Sequence, residues 1–116
     1  MTDQTDCIFC RIASGTLGTP FFVETDSVVA VADLAPQAAT HVLIVPRVHL
    51  ASIAALTRDN DALLGEMVEV ANRVAADQNI ADSGFRLLTN VGQDAGQTVF
   101  HLHWHLLGGQ QLGTLA

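Results

Sequence analysis

The stretch His101-Leu102-His103-Trp104-His105-Leu106-Leu107 decides how the rest of the chain is read. Imidazoles alternate with large apolar residues, and successive side chains on a β-strand point to opposite faces. The pattern predicts a half-buried strand with three imidazoles on one face and Leu102, Trp104 and Leu106 buried on the other. Neighbouring histidines in such a row lie about 6–7 Å apart. The row suits a metal ion, or a phosphate with a nucleophile among the imidazoles.

The residues ahead of the strand favour the second use. Gly92, Gly96 and Gln97-Thr98-Val99-Phe100 form a glycine-containing loop that leads straight into it. Glycine lets backbone N–H groups approach an anion closely, and Thr98 adds a hydroxyl donor. The net charge is −7, with five arginines and no lysine. Binding to nucleic-acid backbone needs clustered Lys and Arg, and a Walker-type loop needs its lysine, so both are excluded. The expected partner is a small anionic molecule held by imidazoles, hydroxyls, backbone N–H groups or one of the five scattered arginines. No segment is apolar and long enough to span a bilayer. The start Met1-Thr2-Asp3-Gln4-Thr5-Asp6 lacks the basic-then-apolar pattern of a secretory leader. The expected location is the cytoplasm, without membrane contact.

A chain of 116 residues is one domain, here 1–116, of a size that gains from oligomerisation. Phe21-Phe22-Val23-Glu24 and Val28 to Leu34, joined by the polar turn Thr25-Asp26-Ser27, predict a hairpin. His41-Val42-Leu43-Ile44-Val45, closed by Pro46, is a continuous apolar run and predicts a central strand buried on both faces. Leu50 to Leu56 reads as one short helical turn. The main helix is predicted from about Asn60 to Gln78, with Asn60 or Thr57 as N-cap and Leu63, Met67, Val70 and Val74 in its apolar stripe. Gly65 inside that helix costs about 1 kcal/mol against Ala, which predicts a close contact with another backbone. Phe85 to Asn90 is the fourth strand. Cys7 and Cys10 sit in a short helical turn, where such a pair reads as a redox dithiol, half of a zinc site, or two small buried apolar residues. No strand precedes them, which disfavours the redox reading, and zinc needs two further ligands.

The motif His101-x-His103-x-His105-Leu106-Leu107 resembles the signature of the histidine triad (HIT) nucleotide-binding proteins. The resemblance extends over Cys7-Ile8-Phe9-Cys10, Asp33, Pro36-Gln37-Ala38, Thr40-His41, Ile44-Val45-Pro46, His49, Leu63-Leu64-Gly65, Asn90-Val91-Gly92 and Leu107-Gly108-Gly109. It covers the chain from about Asp6 to Gln111 and points to the purine nucleoside phosphoramidase branch. It implies an α+β fold: a five-stranded, mostly antiparallel sheet, one main helix and a short N-terminal helix. It implies His103 as nucleophile, His105 and the backbone around Thr98 as stabilisers of phosphoryl charge, and Thr98 as a proton donor to the leaving amine. It implies His41 as a residue close to the middle histidine, His103, that orients it or relays a proton. Asp33 would accept hydrogen bonds from the ribose hydroxyls. Phe22, Val23 and Leu34 would line the base pocket, with Val23 where the family carries an aromatic residue. Asn90, Gly96, Gln97 and Thr98, with His103 and His105, would hold the phosphate.

From the family's prokaryotic members the resemblance also implies a structural zinc ion on Cys7, Cys10, His49 and His101, and a homodimer formed through the main helix and the next strand. The implied activity is hydrolysis of purine nucleoside 5′-monophosphate derivatives, such as nucleoside phosphoramidates, at the α-phosphorus through a nucleotidyl-histidine. Two rivals stay open: a hydrolase of dinucleoside polyphosphates, and a nucleotide-binding or interaction protein with incidental turnover. After Gly109 the chain lacks the tryptophan- and proline-containing tail of the family's eukaryotic members, which leaves the choice of leaving group open.

Overall fold

The computed structural model describes residues 6–115. Most of the acidic start weighed above as a leader, residues 1–5, lies outside them. Seven main elements follow in order: α1 (Ile8–Ala13), β1 (Val23–Glu24), β2 (Val28–Ala32), β3 (Thr40–Pro46), α2 (Asp61–Asp77), β4 (Phe85–Leu88) and β5 (Trp104–Gly108). Short 3-10 turns occupy Ile53–Ala55, Arg58–Asn60 and Gln93–Ala95. The five strands form one sheet in the order β1-β2-β3-β5-β4, every neighbouring pair antiparallel.

β3 is the central strand that its apolar run predicts, buried along almost its whole length. Its alternation sorts the core into two layers. Val42 and Ile44 face α2 with Val28, Ala30, Leu102, Trp104 and Leu106, against Met67, Val70 and Val74 of the helix. Leu43 and Val45 face the other way with Val29 and Val31, under Phe9 and Ala13 of α1. The long helix therefore seals one face. The short helix covers only part of the other, and the functional groups gather in what it leaves open.

Local chemistry explains where the elements start and stop. Thr57 caps the 3-10 turn ahead of α2, while the Asn60 side chain reaches back to accept from the Thr57 N–H (2.9 Å). Both predicted N-cap residues thus act, as the two halves of one capping box. Arg47, just after β3, binds the carbonyls of Ala13 and Thr25 and pairs with Glu24 (2.8 Å). It ties the end of α1 to the β1–β2 turn.

The histidine strand differs from expectation in its beginning. Ladder pairing with β3 stops at Ile44↔Trp104, so only 104–108 is strand. Pro46 has no N–H to donate, and its carbonyl is taken by His101 (2.8 Å). Leu102 N–H turns instead to the Leu50 carbonyl (2.6 Å). Residues 101–103 are held by these contacts and not by a ladder. At Gly65 a Cβ would meet nothing within 4 Å, so the backbone expected to approach it does not come from the same chain.

Candidate active site

The strand register builds the site. Val31, Leu43 and His105 are successive partners across β2, β3 and β5 and share the α1 face. They floor a cavity of about 300 Å³ whose walls include Ile8, Phe9 and Ile12 of α1 with Asp33, Leu34, Thr98, Val99 and His103. That volume is at the lower end for small-molecule sites. Its surface is apolar at the floor and α1 wall, with a few polar groups converging at the histidines.

Backbone partners assign the protons of His103 and His41, and His41 in turn assigns those of His105. The His103 Nδ1–H donates to the His101 carbonyl (2.7 Å). A neutral ring carries one proton, so the lone pair of His103 lies on Nε2. The edge of Phe9 packs on the same ring, centroids 4.7 Å apart, and limits its rotation. At His41 the assignment runs the other way. The Gln37 N–H donates to Nδ1 (3.0 Å), so the ring proton sits on Nε2 and is given to His105 Nδ1 at 2.9 Å. The partner of His41 is thus the last histidine of the row and not the middle one, His103, because β3 pairs with β5 only over 104–108. His105 must then carry its own proton on Nε2, as a donor.

Burial pulls His105 below its usual range, repulsion from His103 and His41 adds to that, and Asp33 opposes it. The folded protein therefore keeps His105 neutral at a pH where the unfolded chain takes up a proton. Its contribution to stability is complete above the ordinary value of roughly 6.5 and is lost as the pH falls through the lower folded value. Thermal melting is expected at falling temperature as the pH drops below roughly 6.5, with a shallower decline in His105→Asn. An identical decline in the variant removes His105 as the cause.

Two groups of side chains have the composition of a metal site, and proton assignment separates them. Ligand atoms of Cys7, Cys10, His49 and His101 lie within 4.8 Å of one another. His101 Nδ1 is 3.3 Å from the Cys7 sulfur, 3.4 Å from the Cys10 sulfur and 3.2 Å from His49 Nδ1. The edges of a tetrahedral zinc site with two thiolates and two imidazoles are about 3.3–3.8 Å. His101 is fully buried, and its Nε2–H donates to the Pro46 carbonyl, which leaves Nδ1 unprotonated toward the sulfurs. This is the outer-shell hydrogen bond a metal-binding histidine uses. Burial and the neighbouring Cys7 push the Cys10 thiol up to about 11, an effect that a divalent cation reverses. The four residues fit a zinc ion. Asp33, His41 and His105 form the second group. There His41 Nε2 carries the proton, so its lone pair is not available to a metal. That group is a hydrogen-bond relay.

The cavity brings together Asp33, Leu34, Thr98, His103 and His105, with His41 directly behind. It does not include the other residues expected to touch a nucleotide. Val23 is buried in the α2 layer and Phe22 lies half-exposed outside the cavity. Among the valines of β1 and β2 the one that lines the cavity is Val31, set there by its register with Leu43 and His105. Asn90, Gly96 and Gln97 do not line it. The buried Gln97 amide braces the loop, donating to the carbonyls of Ala51 (2.8 Å) and Val99 (3.1 Å) and accepting from Gly92 N–H (2.9 Å). Gly92 and Gly96 hold φ of +80° and +85° at the two ends of the 3-10 turn, a backbone that side chains resist. Their role is to shape the loop that presents Thr98. Ile8, Phe9, Ile12, Thr19, Leu43 and Val99 are cavity residues that sequence reading missed. The i,i+4 spacing of Ile8 and Ile12 on α1 was the one local signal.

A ring nitrogen with its lone pair free, beside a second ring that offers an N–H, is the equipment of an enzyme working through histidine. Residues 16–112 match the model of the HIT domain family. The purine nucleoside phosphoramidase of Escherichia coli (strain K12) is 36% identical over 115 residues, spanning 99% of this chain and 95% of its own. A HIT family hydrolase from Clostridium thermocellum superimposes with a TM-score of 0.90 at 44% identity, over 95% of this chain and 96% of that one. A histidine triad protein from Clostridium difficile does so with a TM-score of 0.92 at 36% identity, over 99% and 100%. The chain belongs to the HIT family and is a hydrolase.

Proposed function

We propose that this hydrolase cleaves purine nucleoside 5′-monophosphate derivatives, above all nucleoside phosphoramidates, at the α-phosphorus. The observation that carries this reading is the hydrogen bond from His103 Nδ1–H to the His101 carbonyl, which leaves Nε2 nucleophilic at the wall of the cavity. The base rests among Ile8, Ile12, Val31, Leu34 and Leu43, and Asp33 accepts from the ribose hydroxyls. His103 Nε2 attacks phosphorus in line. The N–P bond forms as the bond to the leaving amine breaks, and the amine takes a proton from the Thr98 hydroxyl or a water beside it. His105 Nε2–H donates to a phosphoryl oxygen as charge builds there. Water then attacks the same phosphorus and returns a proton to the group that protonated the amine. The bond from phosphorus to His103 Nε2 breaks, and AMP leaves with His103 and the proton donor restored. Asn90, Gly96 and Gln97 serve the phosphate through the loop that carries Thr98.

Cys7, Cys10, His49 and His101 hold zinc in this reading. Four protein ligands leave no open position, so the ion supplies a cross-link between the N-terminal segment and the chain entering β5.

The test is AMP release from adenosine 5′-phosphoramidate, with diadenosine tri- and tetraphosphate as competing substrates. Preference for the phosphoramidate by tenfold or more is the expected result. Faster cleavage of the polyphosphates moves the substrate class to a bridging P–O bond, and AMP binding without turnover supports a nucleotide sensor.

A homodimer and a cytoplasmic location complete the proposal. Among the described residues no helix is long and apolar enough to cross a membrane. α2 packs mainly on β1, β2 and β3, and the edge strand β4 is only partly buried, with Phe85 turned to the core. Leu87 is 40% exposed there, Ile53 is exposed beside it, and buried Trp104 Nε1 has no acceptor among the described residues. An unpaired edge and an apolar margin favour a second copy of the chain, and the empty space at Gly65 admits one. Wild type is expected to sediment at twice 12.3 kDa, and Leu87→Glu as a monomer. A monomeric wild type refutes the dimer.

A further inference from the structure

We propose that Asp33 turns ribose binding into a trigger for the His41–His105 pair, so that the nucleoside's vicinal hydroxyls raise the rate of the chemical step as well as affinity. The inference rests on the nucleotide reading above. His41 has one N–H to give, because its Nδ1 is filled by Gln37 N–H. Two acceptors lie near that nitrogen: His105 Nδ1, which takes the hydrogen bond at 2.9 Å, and the Asp33 carboxylate, whose Oδ2 stands 3.4 Å away as an ion-pair contact. The His41 side chain is only 3% exposed, so the two compete where hydrogen bonds are strong. The competitor is an anion, and charge-assisted acceptors draw a proton more strongly than neutral ones.

Asp33 is built to be released from this contest. Its Oδ1 is fixed by Ala35 N–H at 2.8 Å, which leaves Oδ2 as the oxygen with freedom to change partners. The same short loop, interrupted only by Pro36, therefore supplies the N–H that anchors Asp33 and the N–H that sets the His41 tautomer. Asp33 also lines the cavity beside His103 and His105. A cis-diol in the cavity offers its carboxylate two O–H donors. Oδ2 then turns to the sugar and the His41 proton falls wholly to His105 Nδ1. His105 is locked with Nε2–H toward the phosphoryl group, the orientation its role requires. Beyond its contact with the sugar, Asp33 is a positioning residue acting through His41.

The experiment compares adenosine 5′-phosphoramidate with its 2′,3′-dideoxy analogue in wild type and in Asp33→Asn. Wild type is expected to lose roughly tenfold or more in kcat on the dideoxy substrate, in addition to any rise in KM. In Asp33→Asn, with the carboxamide NH2 directed at His41, no acceptor competes for Nε2–H, and the two kcat values are expected to converge. A dideoxy substrate that raises KM alone overturns the trigger and leaves the phosphoramidase reading standing. Histidine 15N spectra of wild type saturated with AMP or with 2′,3′-dideoxyAMP give a readout independent of turnover. The His105 Nδ1 resonance is expected to move with AMP only, and equal shifts with both overturn the proposal. Failure of AMP to bind defeats the nucleotide reading and the trigger with it.

Discussion

His103→Ala is expected to fold and to lose turnover by roughly four orders of magnitude. The side chain is half-buried, and its removal gives up one hydrogen bond to the His101 carbonyl and one ring contact with Phe9. Those losses together cost about 1–2 kcal/mol, which a domain of this size tolerates. The chemistry has no substitute for it. His105 Nδ1 accepts from His41, so its ring offers a donor to the cavity, and His41 is covered behind it. No other imidazole turns a lone pair toward the phosphorus. Phosphoramidate turnover and a thermal melt on the same preparation check the prediction, and a folded variant that retains activity refutes the nucleophile.

Removing His101, two residues earlier and proposed as a metal ligand, is expected to act on stability first. His101→Ala leaves the Pro46 carbonyl without its donor and opens a fully buried site, and it breaks the set Cys7, Cys10, His49 and His101. A loss of about 3 kcal/mol is expected, or roughly 10 °C or more in melting temperature. Activity falls with it. α1 begins at Cys7, whose sulfur caps the helix at Cys10 N–H, and carries the Phe9 that holds the His103 ring. Loosening the cysteines loosens the nucleophile. A chelator is expected to lower the melting point of wild type and leave that of His101→Ala unchanged, with metal content measured in parallel. Wild type that lacks stoichiometric zinc and keeps its full stability refutes the metal assignment.

The contrast between these variants was partly legible beforehand. Alternation in 101–107 places all three imidazoles on the α1 face, and that holds even where 101–103 leave the ladder, because extended backbone alternates without pairing. Chain topology then separates the roles. His101 lies where β3 has already ended, so it meets Pro46, His49 and the cysteines, whereas His105 stands in register with Leu43 inside the sheet. The base cavity was less legible. Val23 and Val31 are equally β-branched and equally placed in apolar runs, but Val23 pairs with Ala30 in the α2 layer while Val31 pairs with Leu43 on the open face. A one-residue difference in register exchanges those faces. Gln97 misled for a similar reason. An amide beside a glycine loop reads as a phosphate ligand, and its real partners include Ala51, distant in the chain.

Residue order alone established the class of chemistry. With no lysine and a net charge of −7, a phosphate here must be handled by histidine, and the period-two pattern aligns the histidines that do it. Folding added the division of labour among them, which is a matter of where each proton sits. In the proposed reading, chemically identical imidazoles take the parts of nucleophile, donor and metal ligand through the His101 carbonyl, the Gln37 N–H and the Pro46 carbonyl. Backbone groups carry no sequence signature, and only the path of the chain brings a particular carbonyl or N–H within 3 Å of a particular ring nitrogen.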